Sequence, residues 1–371
     1  MDILSLKKRC IEKIGKTAQR VKDGIPYTTE CGVYDDWSDE KRVSWWTNSF
    51  WAGLLWELAA QTGNKDYELW AAGVENKLSG VLHTRYDKLD HDLGFLWLLS
   101  GVENYRRTGN KKSKNDALLA ASVLASRFNI KGNYIRAWND WGTISNAGKT
   151  IIDCMMNLPL LYWASGEVKN DSLKYIAMAH ADTVIKHFMR PDGSSKHIVC
   201  FDEKTGEYIK EEGGQGFSEG SSWTRGQGWC IYGMAQSYSW TKQKRYLEAA
   251  QKCARNFIEQ AEKTGYKIPC DFCQPEGEEL YDSSAAAIAA CGMIEIYKET
   301  EDEQYLNAAI KLVEACDKYF CTWNDAENEA LMDFGCVRYD EHKHIALIYG
   351  DYYFFHAVCG LEGLISKGDK A

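Results

Sequence analysis

Apolar residues recur at helical spacing along nearly the whole chain, the pattern of helices that bury one or more faces. Twelve helices are predicted, over about 2–22, 48–61, 65–84, 92–107, 113–128, 151–164, 170–188, 222–240, 243–262, 281–298, 302–320 and 348–366. They alternate in kind. Those starting near Tyr67, Lys112, Lys169, Gln243 and Glu303 open on charged residues and carry a one-sided apolar stripe, as outer helices do. The helices between them open on aromatic or polar clusters: Trp45-Trp46, His91-Asp92, Ile152-Asp153, Trp223 to Gln227, Tyr281 to Ser284 and Gly350 to Tyr352. Their bodies are apolar all round, as in Phe95 to Leu99 and Ala285 to Ala290, and read as inner helices.

The turns repeat as well. Thr62-Gly63-Asn64, Thr108-Gly109-Asn110, Ser165-Gly166-Glu167, Thr241-Lys242-Gln243 and Thr300-Glu301-Asp302 each join an inner-type helix to an outer-type one. A helical hairpin is therefore repeated, with variable insertions on one side. Six inner and six outer helices predict an all-α fold, a closed (α/α)6 barrel forming one domain over 1–371. The six clusters would then meet at one rim. An open solenoid, acting as a non-enzymatic helical-repeat binding protein, is the competing arrangement. Residues 197–210 read as a small β-hairpin, and Gly213 to Gly216 as the flexible loop after it.

Composition narrows the partners. The 371 residues carry a net charge of −9 and no long basic run, which argues against nucleic acid. The first ten residues lack the apolar core of a leader, and no window of about 18 apolar residues would cross a membrane. Thirteen cysteines, odd in number and scattered, are expected to be reduced thiols of a cytoplasmic protein. Cys270-Asp271-Phe272-Cys273 is a lone CxxC without a second pair or histidines at ligand spacing, so no metal is expected. Aromatic residues are abundant, with 14 Trp and 21 Tyr, and suit either sugar stacking or a helical core.

The candidate chemistry sits at the inner-helix starts. Asp153 is flanked by apolar residues, so burial should raise its pKa, and a neighbouring Asp92 would raise it further. Such a pair can keep one acid protonated near neutral pH, as glycoside cleavage requires; the alternative for each is a helix cap. Asp282 and Asp351 are better read as caps. Ser221 or Ser222 is the expected cap of the helix beginning near 222. Arg225 between Trp223 and Trp229 suits a planar anionic ring, or else a core pair of indoles with an ion pair. His197 on the hairpin and Gln215 on the glycine loop could bind a sugar hydroxyl or carboxylate, or serve structure. Trp46 and Trp138 could be stacking walls or core.

His91-Asp92-Leu93-Gly94-Phe95, Ile152-Asp153 with Asn157-Leu158, and Trp223-Thr224-Arg225-Gly226-Gln227-Gly228-Trp229 together resemble glycoside hydrolase family 88, the unsaturated glucuronyl hydrolases, in order and spacing. Gly350 to Phe354 is similar too, so the likeness runs from about Trp45 to Leu361. The resemblance implies a cytoplasmic enzyme that needs no cofactor. Its substrate would be a lyase-generated glycosaminoglycan oligosaccharide of chondroitin, hyaluronan or heparin type, with a 4,5-unsaturated uronic acid at the non-reducing end. Asp153 would be the general acid/base and Asp92 its catalytic partner. Trp46, His91, Trp138, His197, Gln215, Arg225 and Trp229 would line the subsite. A monomer or homodimer is expected. The related unsaturated rhamnogalacturonyl hydrolases, acting on pectin fragments, are the enzymatic alternative. Tyr339 to Ile345 lacks the serines with which some family members meet sulfate, though it retains Lys343.

Overall fold

The computed structural model describes residues 1–368; the last three residues of the expected domain lie outside it. α1 (Ile3–Val21) is amphipathic, and its Leu6, Cys10, Ile14 and Ala18 stripe is buried. It is followed by α2 (Phe50–Thr62), α3 (Lys65–Thr84), α4 (Leu93–Trp97), α5 (Glu103–Thr108), α6 (Lys111–Ser126), α7 (Leu158–Val168) and α8 (Ser172–His187). Next come α9 (Thr224–Thr241), α10 (Lys244–Lys263), α11 (Ser283–Thr300), α12 (Glu303–Tyr319) and α13 (Ile348–Gly368). α4 and α5 are one predicted helix, continuous through a wider π turn over Leu98–Val102. The twelve predicted helices are thus present among the described residues.

α2, α4 with α5, α7, α9, α11 and α13 form the inner ring, and each packs on an outer helix that neighbours it in sequence. α13 packs on α2 and on α1, which closes the ring. An open solenoid is thereby excluded, and the fold is the (α/α)6 barrel. Inner helices are buried on all faces, as α11 is from Ser283 to Ile294.

The repeated turns share one construction. The threonine hydroxyl donates to the carbonyl four residues back: Thr62 to Leu58 (2.7 Å), Thr108 to Asn104 (2.7 Å), Thr241 to Ser237 (2.6 Å) and Thr300 to Ile296 (2.8 Å). The next residue takes a left-handed conformation, with φ between 54° at Lys242 and 75° at Gly109. That reversal ends the helix, and the side chains of Asn64, Asn110 and Asp302 cap the helix that follows. Ser165 departs from this pattern: α7 runs on to Val168 and ends at left-handed Lys169.

Among the described residues, seven short strands decorate the rim. β1 (Thr29–Glu30) pairs with β2 (Val33–Tyr34), and β3 (Phe128–Asn129) with β4 (Tyr134–Ile135). The expected hairpin is β6 (Ile198–Phe201) with β7 (Tyr208–Glu212), and β5 (Lys149–Ile151) adds a third strand, antiparallel to β6. β5 leads directly into the 3-10 turn Ile152–Met156 that carries Asp153.

Candidate active site

His91 and Asp92 stand at the start of α4. The His91 ring is 1% exposed, and its Nδ1 lies 3.1 Å from the Ala137 carbonyl. A carbonyl only accepts, so Nδ1 carries the proton and Nε2 presents a lone pair. Burial holds the imidazole pKa down to about 3, so the ring is neutral. That lone pair faces Asp92 Oδ1 at 3.3 Å. A carboxylate there is repelled, whereas a carboxylic acid can donate to it. Burial, then the charges of Asp90 and Asp153, raise the Asp92 pKa well above its ordinary value.

Asp153 is brought to Asp92 through Asn157. The Asn157 amide places Nδ2 3.3 Å from Asp92 Oδ1 and 3.3 Å from the Asp153 carbonyl, while Oδ1 accepts from Phe95 N–H at 2.8 Å. Gly94 permits the approach, because a Cβ there would overlap the Asn157 Cα. Pro159 then starts α7, where its missing N–H does no harm. The Asp153 side chain is 12% exposed. Burial raises its pKa to about 6, against the opposing pull of Arg225 and the Trp229 indole N–H. Burial is the largest cause of the rise at Asp153, and repulsion between the two acids adds to the rise at Asp92. Asp153 Oδ2 has no hydrogen-bond partner. His197 Nε2 stands 3.7 Å away, and the Trp229 indole, itself without a bond of normal geometry, is near enough to favour the carboxylate.

His197 precedes β6 and packs on Trp223 with ring centroids 4.3 Å apart. Its Nδ1 lies 3.0 Å from both the Gly213 carbonyl and the Gln215 N–H. One tautomer donates to Gly213 and turns a lone pair toward Asp153; the other accepts from Gln215 and turns an N–H toward it. Burial keeps this ring neutral, with a pKa of about 3, so either tautomer is available without net charge. The Gln215 side chain donates to the Val337 carbonyl at 2.7 Å.

Arg225 makes the ion pair that one of its two sequence readings offered. Its guanidinium is 1% exposed and pairs with Asp282 at 2.6 Å. It also donates to the Cys336 carbonyl and, at 2.7 Å, to the Val337 carbonyl. Trp223 and Tyr349 cover it at 4.6 and 5.5 Å. Three of its five N–H groups are engaged in this way, which ties two rim loops together, and its charge holds down the Asp153 pKa. Asp282 is both the α11 cap, accepting from Ser284 N–H at 3.1 Å, and this partner. Asp351 caps no helix. It accepts from Tyr34 OH and from the Leu331 and Met332 N–H groups. The expected serine caps are also corrected. α9 starts on Trp223 without a side-chain cap, and Thr224 N–H donates instead to the Cys270 carbonyl at 3.1 Å.

The tryptophans divide into floor and wall. Trp229 is fully buried against Phe95 and Tyr353. Half-buried Trp46 packs on Phe95 and Tyr349 at 5.2 and 4.9 Å. Half-buried Trp138 meets His91 edge-on at 6.0 Å and Trp141 at 5.3 Å. Each half-buried indole keeps surface for a ring to stack on. Asp90, His91 and Asp92 also place ligand-type atoms within 4.8 Å of one another, but His91 Nδ1 and Asp90 Oδ1 are already bonded to backbone. Cys270 neighbours Cys336 rather than Cys273, and both CxxC thiols are free. Asn157 and Asp282 belong to the site without having been expected there. Only Asn157, one helical turn beyond Asp153, had a readable signal.

The family model "Glycosyl Hydrolase Family 88" matches residues 17–237. An unsaturated glucuronyl hydrolase of Bacillus sp. strain GL1 is 34% identical over 97% of this chain and 95% of its own. An unsaturated chondroitin disaccharide hydrolase of Streptococcus pyogenes serotype M1 is 32% identical over 84% and 80%. The crystal structure of an unsaturated glucuronyl hydrolase from Bacillus sp. GL1, described as responsible for glycosaminoglycan degradation, superposes with a TM-score of 0.88 at 32% identity. It covers 96% of this chain and 95% of its own.

Proposed function

The chain belongs to glycosyl hydrolase family 88, and from that premise we propose that it releases the 4,5-unsaturated uronic acid from the non-reducing end of lyase-generated glycosaminoglycan oligosaccharides. It is a glycoside hydrolase. The observation that carries the reading is Asp153, a buried carboxyl with a pKa of about 6 and one oxygen left without a partner. Such a group holds its proton up to about pH 6, with no hydrogen-bonded partner on that oxygen.

The substrate supplies the acceptor. Its C4=C5 bond is a vinyl ether conjugated with the C6 carboxylate. Asp153 protonates C4, leaving a cation at C5 that the ring oxygen stabilises. Water adds to C5 and gives its proton to the Asp153 carboxylate, which restores the acid. The hemiketal then opens, and the glycosidic bond at C1 breaks without being attacked directly. One acid/base thus replaces the usual two carboxylates. Asp92, kept protonated with its O–H on the His91 lone pair, accepts from a sugar hydroxyl without adding a second negative charge. Trp46 and Trp138 stack on the rings, and His197 follows the Asp153 proton by exchanging tautomers.

The same proposal covers organisation. One catalytic domain spans the chain, as a monomer or homodimer without nucleic acid, in keeping with the net charge of −9. Thirteen unpaired cysteines support a cytoplasmic setting, and no described helix is long and apolar enough to cross a membrane.

Unsaturated chondroitin disaccharide is the test substrate. Hydration destroys the chromophore, so ultraviolet absorbance must fall with wild type and stay constant with Asp153→Asn. Consumption of a pectin-derived unsaturated disaccharide alone would move the enzyme to the rhamnogalacturonyl group, and full activity in Asp153→Asn would remove that residue from the mechanism.

A further inference from the structure

Arg127 closes the outer helix α6, and no step of the reaction uses it. Four of its five N–H groups donate to neutral oxygens. Nε donates to the Arg136 carbonyl at 3.0 Å, and Nη2 to the Ala137 carbonyl at 2.8 Å. Nη1 donates to the Asn139 side-chain oxygen at 2.8 Å and to the Leu89 carbonyl at 3.3 Å. A half-buried guanidinium commonly pairs with a carboxylate. This one grips two stretches of chain instead, 136–139 and the approach to His91.

Both stretches belong to the site. Leu89 lies just ahead of His91 and Asp92, and Ala137 precedes Trp138. The Ala137 peptide is the junction between them. Its carbonyl also accepts from the His91 backbone N–H at 3.2 Å and from His91 Nδ1 at 3.1 Å. Its own N–H donates to the Lys149 carbonyl of β5 at 2.9 Å, the strand that leads into Asp153. Three donors thus share one oxygen that has two lone pairs, and the charged one stands closest. The Arg127 charge also disfavours protonation of His91, which leaves the Nε2 lone pair to receive the Asp92 O–H. Without the guanidinium, every hydrogen bond joining the two stretches would be a neutral one, from the Asn139 amide or from His91.

Taking the hydration reaction as given, we propose that Arg127 is a positioning residue for it, holding the Trp138 wall and the His91–Asp92 pair at fixed distance without touching the substrate. A misplacement of about 1 Å in such a constellation costs about 100-fold in rate. Arg127 also lines a surface cleft of about 470 Å³ with Arg136 and Asn139, so the space its side chain fills can be refilled from solvent.

The absorbance assay on unsaturated chondroitin disaccharide tests this. Arg127→Ala should keep the near-ultraviolet circular dichroism of wild type and lose about 100-fold in kcat. Arg127→Lys keeps the charge but lacks the planar fork that reaches several acceptors at once, so it should stay about tenfold or more below wild type. Ethylguanidinium at about 20 mM, a concentration suited to a weak small cation, should raise kcat of Arg127→Ala about tenfold and leave wild type unchanged. A contribution to folding alone predicts no such rescue. Wild-type kcat in either folded variant overturns the proposal, and so does a folded Arg127→Ala protein that ethylguanidinium does not revive. If neither variant folds, Arg127 serves stability and the positioning role is lost. Wild type that leaves the absorbance unchanged refutes the reaction on which the proposal rests, an outcome distinct from all of these.

Discussion

Replacing Asp153 with asparagine should make this protein inactive and, above pH 6, more stable. The carboxyl titrates at about 6 in the fold against an ordinary value of 3.8, because burial penalises its ionised form. Between those values the native state binds more protons than the unfolded chain, so this residue's contribution to stability falls as pH rises from about 4 to about 6 and is flat beyond. The shift of about two units corresponds to about 3 kcal/mol by pH 7.5, of which about 1 kcal/mol is already present at pH 4.5. The amide introduced by Asp153→Asn has no proton to lose and escapes the whole cost. Urea unfolding of wild type and Asp153→Asn should therefore show the variant gaining about 2 kcal/mol relative to wild type between pH 4.5 and pH 7.5. A stability difference that is the same at both pH values, or that moves against the variant as pH rises, refutes the assignment of a raised pKa to this carboxyl.

Three other outcomes follow from the same geometry. The protonated form of Asp153 is the donor, so kcat/KM should fall about tenfold per pH unit above about 6, and Trp229→Phe should move that limb upward because the lost indole N–H favoured the carboxylate; stopped assays across pH 5–8 measure both. Arg225→Met should cost about 3–5 kcal/mol in chemical unfolding, since it leaves Asp282 buried and unpaired, and a variant of native stability with only a raised KM would restore the substrate-clamp reading. Gly94→Ala forces the α4 start away from Asn157 and should cost about 3 kcal/mol, at the top of the range for overpacking, with a loss of kcat that Asn157→Ala reproduces.

Much of this is readable from residue order because the inner and outer helices differ in composition rather than merely in position. The repeated Thr-Gly-Asn turns carry their own hydrogen bonds, so they survive any packing. The hairpin at 198–212 is legible from its apolar first strand and the turn residues Asp202 to Gly206, but β5 has only three residues and borrows its structure from β6. The partner of Arg225 is not readable in sequence because Asp282 is 57 residues away, and nothing local announces an ion pair of that span. The serine caps fail for a similar reason. A carbonyl of the loop 264–282 reaches the first N–H of α9 and makes a side-chain cap unnecessary. Sequence reading starts α7 too early because Ile152 to Met156 is apolar enough to continue a helix, and only Pro159 reveals where the regular turns begin. Asp153 is identifiable but not its wiring, since residue order cannot show that the Asn157 amide bridges it to Asp92.

The ring closes only where α13 meets α1 and α2. Lys7 pairs with Glu362 at 3.1 Å, Arg9 with Asp317 at 2.9 Å, and the Tyr34 hydroxyl with Asp351 at 2.8 Å. During synthesis the first two helices therefore wait for the last to leave the ribosome. Asp92 and Asp153 emerge long before the α13 packing that completes their barrel exists. Such long-range closure slows folding and leaves α2, apolar on every face, exposed in the nascent chain. A chain cut before Ile348 keeps both catalytic carboxylates and every residue that touches them, yet has no seal. It should collect as aggregate rather than as a weakened enzyme.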